Sequence, residues 1–388
     1  MRFLILHTDY PDFLGWLYAQ HPELERQPYK EQLRARNETL FGVADFYSSN
    51  LRILGHEAFD IYANNEFMQE TWASEHKVQA KRPLSTSKGA LQRARGVASR
   101  TPLRHLKPLF RPVLLSLQAR FYDILAAQIR HLEPDVILNQ AMHVIDCSFL
   151  REMKSSSRLL VGQNAATPLP GSADLRCYDL AISSFPPTVE WFRAKGIPAE
   201  LHPLAFEPKV LDSLQSGGKA FDIAFIGAFH KLHTSRVAML ETLSSRFDGM
   251  RIWGPGVESL PSSSPIRKRY VGQAWGKEMY QILHDSKIAI NHHGDVGPYA
   301  NNLRMYEATG VGTLLVTDWK MNLHGLFEPG KEIVAYRNPE ECAQLIEYYL
   351  RNDREREDTA RAGQRRTLGE HTFLHRMQQL VEIVAKHL

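Results

Sequence analysis

Short runs of apolar residues recur along the first half of the chain, and longer stretches with helical spacing separate them. The runs begin at Arg2, His56, Asp135, Arg158 and Asp179. Helices are predicted over residues 29–54 and 114–132, and Pro134 ends the second one just before the next apolar run. Strands that alternate with helices are typical of a parallel sheet covered by helices. Residues 1–206 are therefore predicted to form one doubly wound α/β domain.

The same alternation returns in the second half of the chain. Strands are predicted over residues 222–226, 250–253, 288–292, 313–317 and 332–336, and helices over residues 236–244, 275–286 and 302–309. Residues 207–220 lose the apolar periodicity and gather Ser and Gly, which indicates a hinge. Residues 221–370 then form a second α/β domain, and residues 371–388 form a C-terminal helix that returns to the first. Two cores in a chain of 388 residues imply a cleft between them.

Composition and cysteine usage narrow the class of protein. The chain is 43% hydrophobic and 23% charged, which is typical of a globular protein. Its cysteines, Cys147, Cys177 and Cys342, are odd in number and far apart, and this predicts neither a disulfide framework nor a thiolate zinc site. Because no apolar run approaches 18 residues and the N-terminal run is too short for a signal peptide, a cytoplasmic protein in a reducing compartment is predicted.

Positive charge is concentrated in one segment. The net charge is only +4, yet no acidic residue lies between Glu75 and Asp123, which predicts a basic helical insertion near residues 66–120. It has three interpretations: a solvated helix, a surface for anionic lipid or a phosphate-bearing acceptor, and a nucleic-acid contact. The second would bring the protein to the inner face of the membrane. Aromatic residues are missing between Trp72 and Phe110, so nucleic acid is disfavoured.

The segment from residue 290 to residue 318 contains the strongest chemical pattern. A predicted strand ends in a polar, Gly-rich loop, and a short helix begins near Asn302. A helix that begins at the carboxyl edge of a parallel sheet offers free N–H groups to a diphosphate. Arg304 and Glu307 lie three residues apart on one face of that helix, where a carboxylate can accept both hydroxyls of a ribose. The alternative is a simple Arg–Glu pair on a helix surface.

Several stretches of the second half resemble a known family, the CgeB-like glycosyltransferases, which are related to retaining enzymes of the GT-B fold. The matching stretches are FDIAFIGAFHKLHTSR from Phe221, NNLRMYEATGVGTLLVTD from Asn301, LFEPGKEIVAY from Leu326 and HTFLHR from His371. The resemblance implies a GT-B fold of two facing Rossmann-like domains and a nucleotide-sugar donor, with a UDP-sugar favoured. It also implies that Glu307 binds the donor ribose and that Arg236 and Arg304 lie near the pyrophosphate.

Further donor-binding residues follow from the same comparison and from the loops around the helix. They are Gly227, Lys231, Tyr299, Asn301 and Asn302. Gly227 also fits a plain strand-to-helix turn. Many retaining relatives carry a Glu eight residues before the ribose-binding Glu, and this chain has Tyr299 there, which leaves open both the sugar contact and whether the anomer is retained.

Candidates for acid–base chemistry lie at two strand ends. His7 and Asp9 follow the first strand, where a base could reach an acceptor hydroxyl, although this loop could equally just cap the next helix. In the second domain, one of the adjacent pair His292 and His293 is expected to face the cleft and touch the donor, and His293 is the candidate. A zinc site is disfavoured because adjacent residues at a strand end point to opposite sides and no third ligand is obvious.

The predicted chemistry needs neither a metal nor another cofactor. Acidic pairs of the Asp-x-Asp kind are absent from the sequence, so the cations Lys231, Arg236 and Arg304 would neutralise the leaving diphosphate. We expect transfer of a hexose-type sugar to an acceptor hydroxyl in bacterial surface glycan or glycoprotein synthesis. The alternatives are a sugar-nucleotide epimerase of the same fold and a non-catalytic sugar-nucleotide-binding or scaffold protein. The nucleoside, the acceptor and the oligomeric state stay open.

Overall fold

The structure is a computed structural model that describes residues 1–78, 107–165, 169, 171, 173–229 and 234–388, and its side chains are described outside residues 107–118. Most of the basic segment and the predicted phosphate ligand Lys231 therefore lie outside the described residues.

The first half of the chain forms a six-stranded parallel sheet with the order β2-β1-β3-β4-β5-β6. Its strands are β1 (Arg2–His7), β2 (Glu57–Tyr62), β3 (Val136–Asn139), β4 (Leu159–Gln163), β5 (Leu180–Ser183) and β6 (Ala199–Leu201). The helices that accompany them are α1 (Pro11–Gln20), α2 (Tyr29–Glu38), α3 (Phe46–Ile53), α4 (Glu66–Glu75), α5 (Lys107–Leu132), α6 (Cys147–Glu152) and α7 (Pro186–Ala194). The predicted doubly wound domain is thereby confirmed as an α/β unit.

The second half forms another six-stranded parallel sheet, in the order β12-β11-β10-β7-β8-β9. Its strands are β7 (Phe221–Ile226), β8 (Met250–Trp253), β9 (Tyr270–Gly272), β10 (Ser286–Asn291), β11 (Leu314–Asp318) and β12 (Val334–Tyr336). Its helices are α8 (Thr234–Arg246), α9 (Ile266–Arg269), α10 (Gly276–His284), α11 (Leu303–Gly310), α12 (Pro339–Arg351), α13 (Asp353–Glu370) and α14 (Phe373–Ala385). This strand order is the one found in dinucleotide-binding folds.

Two features of the secondary structure differ from the prediction. Residues 29–54 form two helices rather than one, because the turn between them places Leu40, Gly42 and Ala44 at positive φ, where a helix cannot continue. The strands β6 and β9 were not predicted. Both are short edge strands with few buried residues: β6 buries only Ala199 and β9 buries none, so neither has a recognisable apolar pattern.

The broken helix is a docking point between the two domains. The Thr39 carbonyl accepts the main-chain N–H of Lys277 at 2.9 Å. Gly276 has φ +55°, and a Cβ there would come within 2.0 Å of that carbonyl oxygen, so only glycine fits. Beside it, the Trp275 ring meets the ring of Phe41 edge to face at 4.8 Å between centroids. The turn therefore has its shape because a segment more than 230 residues away packs against it.

The C-terminal helix α14 packs on the first domain. Main-chain hydrogen bonds join Phe206 N–H to the His371 carbonyl at 2.8 Å and Phe373 N–H to the Phe206 carbonyl at 2.9 Å. The Phe373 ring packs against Phe46 of α3. The prediction that the C-terminal helix packs back onto the first domain is therefore confirmed.

His202 gives the junction with α14 a pH dependence. Its ring is buried, its Nε2 lies 2.9 Å from the Arg376 carbonyl, and burial lowers its pKa to about 4. The unfolded chain, with an ordinary pKa near 6.5, binds a proton over the pH range in which the folded chain does not. The free energy of unfolding should therefore fall as the pH falls from 6.5 towards 4.

We expect wild type to lose about 2 kcal/mol more than His202→Gln between pH 7 and pH 5, because glutamine keeps the donor to the Arg376 carbonyl but does not titrate. Urea unfolding at both pH values measures the difference. The exposed His387→Gln serves as the control. Identical pH slopes for wild type and His202→Gln would contradict the assignment.

The cysteines do not behave as predicted. Cys147 and Cys177 form a disulfide, with their Cα atoms 5.4 Å apart, and Cys342 is free and buried. The two residues are separated by 30 positions in the sequence: Cys147 begins α6, and Cys177 lies in the turn that precedes β5. The disulfide removes the cysteine argument for a reducing compartment. Among the residues that the structure describes, no helix is long and apolar enough to cross a membrane.

Candidate functional site

The candidate site lies at the carboxyl edge of the second sheet. The chain leaves β7 towards β8 on one side and leaves β10 towards β11 on the other, so a crevice opens between β7 and β10. The loop after β7 contains Gly227. The loop after β10, residues 292–302, contains the histidine pair, Tyr299, Asn301 and Asn302, and leads directly into α11. In this way the topology gathers, at one edge, the predicted donor-site residues that the structure describes.

Arg304 and Glu307 form a buried ion pair on α11. The Nη1 atom of Arg304 lies 2.8 Å from Oε2 of Glu307, and their side chains are 14% and 7% exposed. Burial raises the pKa of Glu307 above its usual value, although Arg304 and a hydrogen bond with Tyr280 oppose that shift. Because this pair is withdrawn from solvent, it differs from the exposed helix pair considered as the alternative.

Polar side-chain atoms without hydrogen-bond partners occur in the loop after β10 and at the start of α11. In the part of the chain that the structure describes, buried side-chain atoms without a hydrogen bond include His293 Nε2, Asn301 Nδ2, Asn302 Oδ1 and Arg304 Nε. A buried polar atom left unpaired costs about 1–3 kcal/mol, so folded proteins rarely leave several together. Asn302 is also the N-cap residue of α11, and its side chain does not cap the helix. The group is suited to a polar ligand that would pair with these atoms.

Arg236 joins the two loops that border the crevice. Its Nε and Nη2 donate to the His292 carbonyl at 3.1 and 2.7 Å, and its Nη1 donates to the Ala228 carbonyl at 3.1 Å. Burial lowers its pKa to about 10, so the guanidinium stays protonated at neutral pH. The predicted phosphate ligand thus holds one loop against the other. Gly227 lies in the first of these loops, and its N–H donates to the Trp253 carbonyl.

His292 and Asp295 connect the loop after β10 to the start of α8. His292 Nδ1 lies 2.9 Å from the Tyr336 hydroxyl, and its Nε2 lies 3.0 Å from Ser235 Oγ. The Asp295 carboxylate accepts hydrogen bonds from the hydroxyls of Thr234 and Ser235 and from the Ser235 main-chain N–H. Both ring nitrogens of His292 are therefore used within the protein.

Two residues of the site, Asp318 and Lys320, were not predicted from the sequence. Asp318 is the last residue of β11, and Lys320 lies two positions beyond it. Asp318 Oδ1 accepts the main-chain N–H and the Nδ1–H of His293 at 2.9 and 2.7 Å, and Lys320 Nζ lies 3.2 Å from Asp318 Oδ2. Burial alone would raise the pKa of Asp318, but the hydrogen bond from His293 and the charge of Lys320 hold it well below its usual value. The rule that locates sites at carboxyl strand ends would have identified both residues.

Tyr299 lies at a contact between the domains. Its ring meets the Phe185 ring of the first domain edge to face, with 6.0 Å between centroids. The neighbouring Gly297 also packs close to Phe185. An aromatic contact between the domains thus occupies the position that carries a Glu in many of the retaining enzymes considered in the sequence analysis.

The predicted base candidates of the first domain are engaged in buried pairs. Both carboxylate oxygens of Asp9 accept from Arg36, and both side chains are almost fully buried. His7 Nε2 lies 2.8 Å from Asp60 Oδ1, and the ring stacks on Tyr62. Both oxygens of Asp9 and the Nε2 atom of His7 are thus engaged within the protein, and the base role of either residue stays a prediction. Their partners come from α2 and β2, which sequence position alone does not reveal.

The described residues contain no group of three or more His, Cys, Asp or Glu side chains arranged to hold a metal ion. The arrangement at the crevice is instead one of cations, a buried carboxylate and unpaired amide and imidazole atoms. Such a set can hold a ligand that carries negative charge at one end and hydroxyl groups elsewhere.

A comparison with known protein families gives a match within the half of the chain that contains the candidate site. Residues 236–382, less than half of the chain, match a family model described as glycosyl transferase-like. A search of curated proteins found no significant match.

Solved structures match the whole chain at low identity. HepE from Anabaena, in complex with UDP and glucose, has a TM-score of 0.60 and 11% identity, and covers 100% of both chains. A glycosyltransferase from Rickettsia africae has a TM-score of 0.58 and 11% identity, covering 100% of this chain and 98% of its own. Sucrose-phosphate synthase from Thermosynechococcus elongatus has a TM-score of 0.58 and 12% identity, covering 100% and 99%. These likenesses show that the fold is GT-B, as predicted.

Proposed function

We propose that this chain is a glycosyltransferase that moves a sugar from a nucleoside-diphosphate donor, most favourably a UDP-sugar, to an acceptor hydroxyl without a metal ion. Two findings support the proposal: the glycosyl transferase-like match over residues 236–382, and the GT-B fold shared with HepE, whose structure was solved with UDP and glucose.

The single observation that carries it is the buried Arg304–Glu307 pair at the start of α11. The pair lies at the carboxyl edge of the sheet, beside a helix start whose N-cap side chain leaves the helix N–H groups free. In this reading Glu307 accepts the ribose hydroxyls, and Arg304 lies towards the diphosphate. A buried ion pair stabilises a fold only weakly, so a binding role gives a reason for its presence.

The leaving diphosphate needs positive charge where the bond breaks. Arg304 and Lys320 provide side-chain cations, and the N–H groups at the start of α11 add about 0.3–1 kcal/mol for each interacting negative charge. Arg236 contributes by holding the two loops in place rather than as a free ligand. These groups would replace the divalent ion that other transferases use.

The finer parts of the proposal rest on the resemblance to CgeB-like enzymes. They are a hexose-type sugar, retention of the anomeric configuration, and an acceptor in bacterial surface glycan or glycoprotein synthesis. Contact with the inner membrane face, and with it a cytoplasmic location, rests instead on the basic segment, most of which lies outside the described residues.

A panel of ligands tests the donor. We expect UDP and UDP-hexoses to raise the melting temperature more than GDP, dTDP or CMP, since a ligand present at 100 times its Kd adds about 2.7 kcal/mol to the free energy of unfolding. No shift with any of them at millimolar concentration would refute the donor site.

Turnover distinguishes the competing functions. A transferase releases UDP faster when its acceptor is present, and here it should do so in EDTA. An epimerase would convert the sugar without releasing UDP, and a scaffold protein would bind UDP-hexose without turnover. Loss of activity in EDTA that only added metal restores would refute metal independence.

A further inference from the structure

The adjacent histidines after β10 have different chemical environments. His292 uses both ring nitrogens within the protein, one at the Tyr336 hydroxyl and the other at Ser235 Oγ. His293 uses only Nδ1, and its Nε2 is buried without a partner among the described residues. Only His293 is therefore available to a ligand.

Asp318 determines which hydrogen-bonding role His293 Nε2 has. The Asp318 carboxylate can only accept hydrogen bonds, and its Oδ1 receives both the main-chain N–H and the Nδ1 side of the His293 ring. The ring proton is therefore on Nδ1, and in the neutral ring Nε2 carries a bare lone pair. Lys320, paired with the other carboxylate oxygen, helps to keep Asp318 ionised.

The unpaired atoms that follow in the loop and at the start of α11 complement that lone pair. Asn302 Oδ1 is a second acceptor, while Asn301 Nδ2 and Arg304 Nε are donors. A hydroxyl group both donates and accepts, so a ligand with several hydroxyls can pair with such a mixed set. An ionised phosphate oxygen cannot pair with Nε2 of the neutral His293 ring, because both atoms are then acceptors.

On the basis of the proposed function, we propose that His293 Nε2 accepts a hydrogen bond from one hydroxyl of the donor's sugar, and that Asp318 fixes the ring in the tautomer that can do so. The contact selects a sugar that carries a free hydroxyl at that position. His293 would thus contact the sugar of the donor, whereas other residues bind its nucleotide.

Calorimetry on the full chain tests the contact with UDP and with the tightest binder among UDP-glucose, UDP-galactose and UDP-N-acetylglucosamine. His293→Ala should raise the Kd of the sugar nucleotide about tenfold, the usual loss for one hydrogen bond, and leave the Kd of UDP within about twofold. The exposed His324→Ala is the matched control and should change neither value.

Donor analogues locate the hydroxyl and keep the test independent of how the variant folds. With wild type, one monodeoxy donor should lose about tenfold in affinity, and the deoxyfluoro donor at the same carbon should lose as much, because fluorine cannot donate a hydrogen bond. His293→Ala should bind that monodeoxy donor as wild type does.

Three results would overturn the inference. The first is an equal loss of UDP and sugar-nucleotide affinity in His293→Ala, which would indicate a structural role. The second is a deoxyfluoro donor that wild type binds as tightly as the hydroxyl compound. The third is wild type that binds UDP but shows no dependence on any single sugar hydroxyl. Failure of the proposed function would look different, since wild type would then bind neither UDP nor any UDP-hexose.

Discussion

Replacing Glu307 with glutamine is expected to weaken UDP binding by about a hundredfold. The buried carboxylate is proposed to accept two ribose hydroxyls, and hydrogen bonds to a charged group contribute about 1.5–3 kcal/mol each. Glutamine keeps the size of the side chain but has one acceptor oxygen and no charge. Calorimetry with UDP and 2′-deoxy-UDP measures the effect, and the variant should lose most of the preference of wild type for the ribose form.

The same change also leaves the Arg304 charge without its partner, and this has to be separated from the loss of a ligand contact. Removing one member of a buried pair destabilises a protein by about 3–5 kcal/mol, whereas removing both is often neutral. The double variant Arg304→Met, Glu307→Gln should therefore recover much of the stability and still fail to bind UDP. Exposed Glu382→Gln is the control. Wild-type UDP affinity in Glu307→Gln would rule out the ribose assignment.

Replacing Arg236 with lysine is expected to lower both the stability and the affinity for UDP. One ammonium group cannot reproduce the planar fork that joins the Ala228 and His292 carbonyls. A buried carbonyl left unpaired costs about 1–3 kcal/mol, so we expect a loss of about 2–4 kcal/mol in the free energy of unfolding. The loops after β7 and β10 would then separate more easily. We expect UDP affinity to fall roughly tenfold, which corresponds to a loss of about 1.4 kcal/mol in binding free energy.

Arg246→Lys is the matched control for this experiment because Arg246 lies on the same helix, α8. Its guanidinium pairs with Glu340 and Glu347 at the surface, where water screens ion pairs so that they add little to stability. The control should therefore stay close to wild type in urea unfolding and in UDP titration. If the two lysine variants behaved alike, Arg236 would not be the residue that holds the loops.

The sequence was most informative where the chemistry is local. Arg304 and Glu307 belong to one helix, and the loop before them follows a strongly apolar strand, so spacing alone predicts that they share a face. The strands of both sheets were predicted wherever buried positions make a continuous apolar run. The edge strands β6 and β9, with three residues each, lack such a run and were missed.

The sequence was least informative about which polar groups meet across the fold. His7 and Asp9 lie at a carboxyl strand end, as predicted, but Asp60 and Arg36 occupy them, and no local pattern indicates those partners. The same is true of the Cys147–Cys177 disulfide, which joins segments 30 residues apart. Asp318 could have been noticed as a strand end, but its hydrogen bond to His293 could not.

The sequence by itself determined the alternation of strands and helices, the division into two α/β halves and the helix that presents Glu307, because each depends on contacts between residues a few positions apart. Only the tertiary structure decided the break between α2 and α3, the hydrogen-bond partners of His7 and Asp9, and the tautomer of His293. These depend on which side chains long-range packing brings within about 3 Å of one another, and a hydrogen bond is lost over a shift of less than 1 Å.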